Sequence, residues 1–203
     1  MITLLNYGLG NVEAFINIYK RLNIPVAVAK TADQLADAEK IILPGVGAFD
    51  WAMTRLDESG MRACLDDLVM DKKKPVLGVC VGMQMMARRS DEGELPGLGW
   101  IDAEVKRFDE TRFRQQTHLP HMGWNDVSPR DVECLFKGIT APRFYFLHSY
   151  YFVPANQDDV LATTDYNCAY ASAVRSGNVF GTQFHPEKSQ QWGIQLLKNF
   201  AEL

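Results

Sequence analysis

The apolar run Pro75–Val79 leads without a break into Gly78-Val79-Cys80-Val81-Gly82, and a helix-compatible stretch begins near Gly82. Strand, sharp turn and helix in that order form a nucleophile elbow, with cysteine at the position where esterases carry serine. The turn forces its central residue into strained backbone geometry, and the flanking glycines leave room for neighbouring chain. A helix N-terminus beside the sulfur favours thiolate through its dipole. The backbone N–H of Val81 is then placed to meet a developing oxyanion. Cysteine is also a common buried residue, so a structural Cys80 between incidental glycines stays open on this motif alone.

The rest of the first half fits such an elbow. Ile2–Asn6, Ile24–Ala29 and Lys40–Leu43 read as short apolar strands. Asn11 is placed to cap a helix running to about Leu22, with Val12, Phe15, Ile16 and Tyr19 on one face. Helical segments are expected around Asp50–Asp57 and Met61–Asp71. This alternation predicts an α/β fold with an open, mainly parallel sheet and helices on both faces. The second half reads differently. Ile101–Phe108, Arg143–Phe152, Val160–Thr164, Ala169–Arg175 and Val179–Phe184 look extended and are joined by short turns, which predicts additional antiparallel strands. Ser189 is positioned to cap a closing helix towards Leu203.

With 203 residues, nearly half of them hydrophobic, and no repeat or linker, one domain over 1–203 is expected. The formal charge of −4 gives no reason to expect a nucleic-acid partner, and Lys72-Lys73-Lys74 reads as a solvated helix end. No apolar stretch reaches membrane-spanning length, and the N-terminus lacks the pattern of a secretory signal. Cys64, Cys80, Cys134 and Cys168 are scattered without CxxC spacing, so reduced thiols in the cytoplasm are expected.

Two further segments carry chemistry. Phe184-His185-Pro186-Glu187 ends an apolar strand. In extended chain, residues two apart share a side, so Glu187 is placed to orient His185, and His185 to move protons to and from Cys80. A plain surface turn is the alternative. No HExxH or cysteine pair accompanies this histidine, so no metal site is expected. Pro44-Gly45-Val46-Gly47-Ala48-Phe49 is a glycine loop at a strand end. It is suited to supply a second oxyanion N–H, to cradle a phosphate or simply to turn, and it lacks the Lys-Ser/Thr ending of a P-loop. Tyr7-Gly8-Leu9-Gly10 opens like a dinucleotide fingerprint, but Glu13 stands where the third glycine belongs. His118 and His121 flank Leu119-Pro120, which breaks any helical metal spacing, and His148 lies in an aromatic strand expected in the core or an interface.

Taken in order, PGVGAF, GVCVGMQ, PHMGWN at 120–125, FLHSYYF at 146–152 and GTQFHPEKS at 181–189 resemble the class I glutamine amidotransferase family. With NYGLGN at 6–11, the chain is more narrowly similar to the glutamine amidotransferase subunits of imidazole glycerol phosphate synthases, of histidine biosynthesis. The resemblance spans essentially the whole chain. It implies a Cys80, His185, Glu187 triad, an oxyanion hole from Gly45, Val46 and Val81, and glutamine contacts from Gly47, Gly82, Gln84, Ser149 and Tyr150. It implies no cofactor and a heterodimer with a (βα)8-barrel cyclase that receives ammonia through a tunnel. In the family the glycine loop can rest with a peptide turned away until the partner is loaded.

The family elbow usually reads CLGMQ, whereas this chain has Val81, and Trp100 stands in Gly97-Leu98-Gly99-Trp100-Ile101 where a smaller residue is expected. Both differences look like those of paralogues that feed ammonia to sugar-modifying synthases of surface-polysaccharide pathways, so the acceptor stays open. A cysteine hydrolase or peptidase without amide transfer, a nucleotide-binding module and a non-catalytic partner protein are the competing readings.

Overall fold

The computed structural model describes residues 1–113 and 117–203. Its first half is β1 (Ile2–Leu5), α1 (Val12–Arg21), β2 (Val26–Ala29), α2 (Ala32–Leu35), β3 (Lys40–Gly45), α3 (Phe49–Glu58), α4 (Arg62–Asp66), β4 (Val76–Cys80) and α5 (Val81–Gln84). There follow β5 (Arg89–Ser90), β6 (Ala103–Arg107), β7 (His121–Asp126), β8 (Ser128–Pro129), β9 (Arg143–His148) and β10 (Tyr150–Pro154). The chain closes with β11 (Val160–Asp165), β12 (Ala169–Ser176), β13 (Val179–Thr182) and α6 (Gln190–Glu202).

One mixed sheet runs β2-β1-β3-β4-β13-β12-β10-β6-β5, with β11 on β12 and β8 on β11. From β2 to β13 the strands are parallel. From β13 to β6 the pairings are antiparallel. Every residue of β1 and β4 is buried, as expected of strands covered on both faces. Leu4, Leu5, Ile41, Ile42, Leu43, Val76 and Leu77 form the middle of the core, each worth about 1.5–3 kcal/mol of burial. α1 starts on its Asn11 cap, whose side-chain oxygen accepts the Ala14 N–H at 3.3 Å. It buries Val12, Phe15, Ile18 and Tyr19; Ile18 takes the buried place expected of Ile16, which packs only partly against the core.

The sequence-based boundaries shift at four places that matter. Arg143–Phe152 is two strands, not one. β9 pairs with β7 in a separate two-stranded sheet, while β10 joins the large sheet, so the chain changes sheets at Ser149. Hydropathy could not show this, because both strands are equally aromatic. The helix after the elbow is a single four-residue turn, which leaves little macrodipole to act on the sulfur. The segment expected as one helix from Met61 changes from α-helix to a π-turn at Asp67–Asp71. Ser189 precedes α6 but makes no side-chain cap. Its hydroxyl donates to the His185 carbonyl at 2.6 Å and accepts the Tyr145 N–H at 3.0 Å, tying the turn after β13 to β9. Among the described residues, no helix is long and apolar enough to cross a membrane.

β3, β4 and β13 are adjacent and parallel, so their carboxyl ends lie side by side. The glycine loop, Cys80 and the segment leading to His185 therefore converge on one edge, where open α/β sheets place their ligands.

Candidate active site

Cys80 is the last residue of β4 and adopts φ 56° and ψ −113°, a conformation that costs a non-glycine residue about 1–3 kcal/mol. Close packing around the turn holds it there. A Cβ on Gly82 would fall on the Leu43 carbonyl oxygen, and one on Gly45 would strike the Gly82 nitrogen. The elbow glycines are required by that contact between β3 and α5. Gly45 pairs directly with Cys80 across the β3–β4 ladder.

His185 is buried, as is Cys80, and the two line the same cleft, close enough for the Cys80 side chain to act on the imidazole. Its Nδ1 lies 2.9 Å from Glu187 Oε1. The pair meets through a tight 3₁₀ turn at Pro186–Lys188 and not through the extended chain expected from the sequence. Burial alone lowers the imidazole pKa, but the hydrogen bonds to Cys80 and Glu187 and their charges outweigh it and raise the pKa to about 10. The ring is thereby prepared to carry a proton. Glu187 is equally buried, and its Oε2 has no hydrogen-bond partner among the described residues.

Cys80 and His185 open into a cleft of about 290 Å³ lined also by Val46, Gly47, Val81, Gln84, Ser149 and Tyr150. Gly45, Gly82 and Glu187 stand behind this lining as framework. Glu92, Pro120, Leu147, His148 and Lys188 complete the wall and are not expected as site residues from the sequence. Glu92 sits in a turn-rich segment with no motif around it. Its Oε2 accepts the Phe49 N–H at 2.9 Å at the start of α3, and burial pushes its pKa up.

Tyr7, in the segment that opens like a nucleotide fingerprint, is buried and donates its hydroxyl to the Pro44 carbonyl at 2.6 Å. A Cβ on Gly10 would lie 2.6 Å from the Pro44 Cβ. NYGLGN thus packs beneath the glycine loop and supports it. On the opposite wall, His148 Nδ1 donates to the Tyr150 carbonyl at 2.7 Å, and its Nε2 meets the Tyr170 hydroxyl and His121 at 3.1 and 3.2 Å. Burial lowers the pKa of His148 to about 3 and of His121 to about 4, so both rings are neutral.

The family profile "Glutamine amidotransferase class-I" matches residues 3–203. A relative from Bdellovibrio bacteriovorus, "Imidazole glycerol phosphate synthase subunit HisH", is 58% identical, with the whole of both chains covered. Its namesake from Leptospira interrogans is 51% identical, again over the whole of both chains. The subunit HisH 2 of Pseudomonas aeruginosa is 48% identical with the same coverage. Among solved structures, one described as a glutamine amidotransferase superposes with a TM-score of 0.76 at 22% identity, covering 99% of this chain and 97% of the other. A chain of PurLQS from Thermotoga maritima gives 0.72 at 15% identity, covering 99% and 96%. A whole-length family match and full-length relatives at about half identity leave one assignment: the chain belongs to the class I glutamine amidotransferases, enzymes that hydrolyse glutamine.

Proposed function

We propose that the chain is the glutaminase subunit of an imidazole glycerol phosphate synthase, working through Cys80, His185 and Glu187 and passing ammonia to a (βα)8-barrel cyclase in histidine biosynthesis. The observation that carries the catalytic part is the strained, buried Cys80 on the same cleft wall as His185, itself 2.9 Å from Glu187.

The Cys80 thiolate attacks the side-chain amide carbon of glutamine, and the carbonyl electrons move onto oxygen. N–H groups of Val81 and of the Gly45–Val46 loop stabilise that oxyanion. The protonated His185 gives its proton to the leaving nitrogen, so the C–N bond breaks and neutral ammonia departs. A thioester remains. Water then adds to it, His185 takes the water proton, and the collapse releases glutamate and restores the thiolate. Glu187 holds the ring and stabilises the imidazolium without itself taking the proton. Gly47, Gly82, Gln84, Ser149 and Tyr150 shape the glutamine subsite. Glu92, the one carboxylate on the described lining, is suited to pair with the substrate ammonium.

The partner reading is supported by an apolar rim. Val46 and Leu147 line the cleft yet remain 39% and 38% exposed. Met122 is 66% exposed and pairs with Leu147 across β7 and β9, and Trp124, two residues on, shares its face. Trp51 is exposed too. Ammonia released at this rim needs a cover, because in water it protonates and ceases to be a nucleophile.

The test is Cys80→Ala with and without the cyclase. The variant should bind the cyclase, make product from ammonium salt at raised pH and make none from glutamine. Glutaminase activity retained in the variant would overturn the nucleophile. Coupling to a sugar-modifying synthase and not to the cyclase would move the acceptor to the polysaccharide pathways.

A further inference from the structure

The Cys80 sulfur has a polar neighbour that the triad does not use. Gln183 follows β13, is fully buried, and places Nε2 3.8 Å from Sγ. Its Oε1 lies 3.0 Å from Gln84 Nε2, and that same Nε2 lies 3.1 Å from the Tyr150 carbonyl oxygen.

The polarity of this chain follows from donor and acceptor chemistry. A backbone carbonyl only accepts, so Gln84 must turn its NH₂ to Tyr150. The second hydrogen of that NH₂ goes to Gln183, which must therefore present its carbonyl to Gln84. Gln183 is left with an N–H for the sulfur. His148 Nδ1 places a second donor on the same Tyr150 carbonyl, which fixes the segment against which Gln84 is held. Both Gln84 donors are spent in this way, so only its Oε1 is left to meet a substrate.

We propose that Gln183 is a positioning residue for the nucleophile: it holds the Cys80 sulfur with a fixed N–H, and Gln84 locks the direction of its amide. The inference rests on Cys80 being the nucleophile. An N–H bonded to a sulfur anion is charge-assisted, whereas the same contact to a neutral thiol is weak, so the contact favours thiolate. The carbonyl of Leu147, also 3.8 Å from Sγ, favours the S–H form, and the amide opposes it.

The test is carboxamidomethylation of Cys80 by iodoacetamide across pH, read on the Cys80 peptide by mass spectrometry because Cys168 is exposed. Gln183→Met fills the space without a donor. Below the titration midpoint it should slow Cys80 alkylation about tenfold, the equivalent of one pKa unit, and lower kcat with little change in KM. Gln84→Met should shift the midpoint the same way by less. Gln183→Glu, which keeps the shape and adds negative charge, should shift it further than the methionine. The other titratable groups around the sulfur are His185 with Glu187, Tyr7, Tyr170, His148, and Glu92 and Lys188 on the cleft wall. All are common to every variant, so a difference reports the amide. An unchanged alkylation profile in either Gln183 variant, at unchanged thermal stability, overturns the proposal. Failure of the nucleophile itself shows separately, as glutamine turnover by Cys80→Ala.

Discussion

The two walls of the cleft differ in origin and in charge. One is built from β3, β4, α5 and the turn after β13, at the end of the parallel strands, and carries a histidine whose pKa is raised to about 10. The other is built around β9 and β10, where the chain leaves one sheet for another, and carries a histidine held neutral with a pKa of about 3. Both rings are buried. What separates them is partners. His185 has the Glu187 carboxylate and the Cys80 sulfur as partners, and His148 has a carbonyl, a hydroxyl and another neutral ring. Burial pushes both imidazoles towards the neutral form; it decides the outcome at His148 and is outweighed by the partners at His185.

The largest expected effect tests the charged wall. His185→Asn should lower kcat for glutamine about 10³-fold, and Glu187→Gln less, because the carboxylate only orients and stabilises. Steady-state glutaminase assays decide it, and a greater loss from Glu187→Gln would reverse the assigned roles.

Next comes the packing that strains Cys80. Gly82→Ala drives a methyl into the Leu43 carbonyl and should cost about 3 kcal/mol or more, visible as a lower urea midpoint. A midpoint unchanged from wild type would mean that the elbow relaxes freely.

The two histidine environments should also divide the pH dependence of stability. His185 has its folded pKa above the unfolded value, so its contribution is complete below about pH 6.5 and is lost as pH rises towards 10. Thermal denaturation of Cys80→Ala should show a shallower alkaline decline than wild type. His121 and His148 have lowered pKa values, so the unfolded chain takes up protons first and stability is lost as pH falls from about 6.5 towards 4 for His121 and towards 3 for His148. His121 is stacked between Phe146 and Tyr166 at 4.7 and 4.0 Å. His121→Phe keeps that stack and should flatten the acid limb while costing about 1 kcal/mol at pH 8 for lost hydrogen bonds. An acid limb as steep as wild type would assign it to other groups.

The smallest effect concerns the rim. Met122→Glu should weaken binding of the proposed cyclase partner about tenfold by burying a charge at the contact, with the stability of the isolated chain unchanged. Calorimetric titration with the cyclase reads it, and an unchanged affinity would move the partner surface elsewhere.

The elbow and the glycine loop were legible because each follows directly on its own strand. A turn's chemistry is written in the residues that make it, and Gly78, Cys80 and Gly82 sit at alternate positions of one short segment. The His-Pro-Glu segment was legible for the same reason, although its pair meets in a 3₁₀ turn and not along a strand. Gln183 went unnoticed although it lies two residues from His185, because a buried glutamine has no sequence signature until its partners are known. Glu92 was missed as a lining residue because no motif surrounds it, and Pro120, Leu147 and Lys188 because, although they lie in the quoted motifs, nothing in those motifs turns their side chains to the cleft. The break at Ser149 was invisible to hydropathy.

The sequence by itself determined the parallel half, the strand-to-helix turn at Cys80 and the pairing of His185 with Glu187, since all three rest on local periodicity and short spacings. Only the tertiary structure decided that β13 lies beside β4 and brings His185 to Cys80 across more than a hundred residues, that β9 and β10 part company, and that Gln84 and Gln183 share a chain of hydrogen bonds ending on the sulfur. Those contacts depend on which strand pairs with which. Pairing is settled by the burial of whole sheet faces, and no short stretch of residues carries that information.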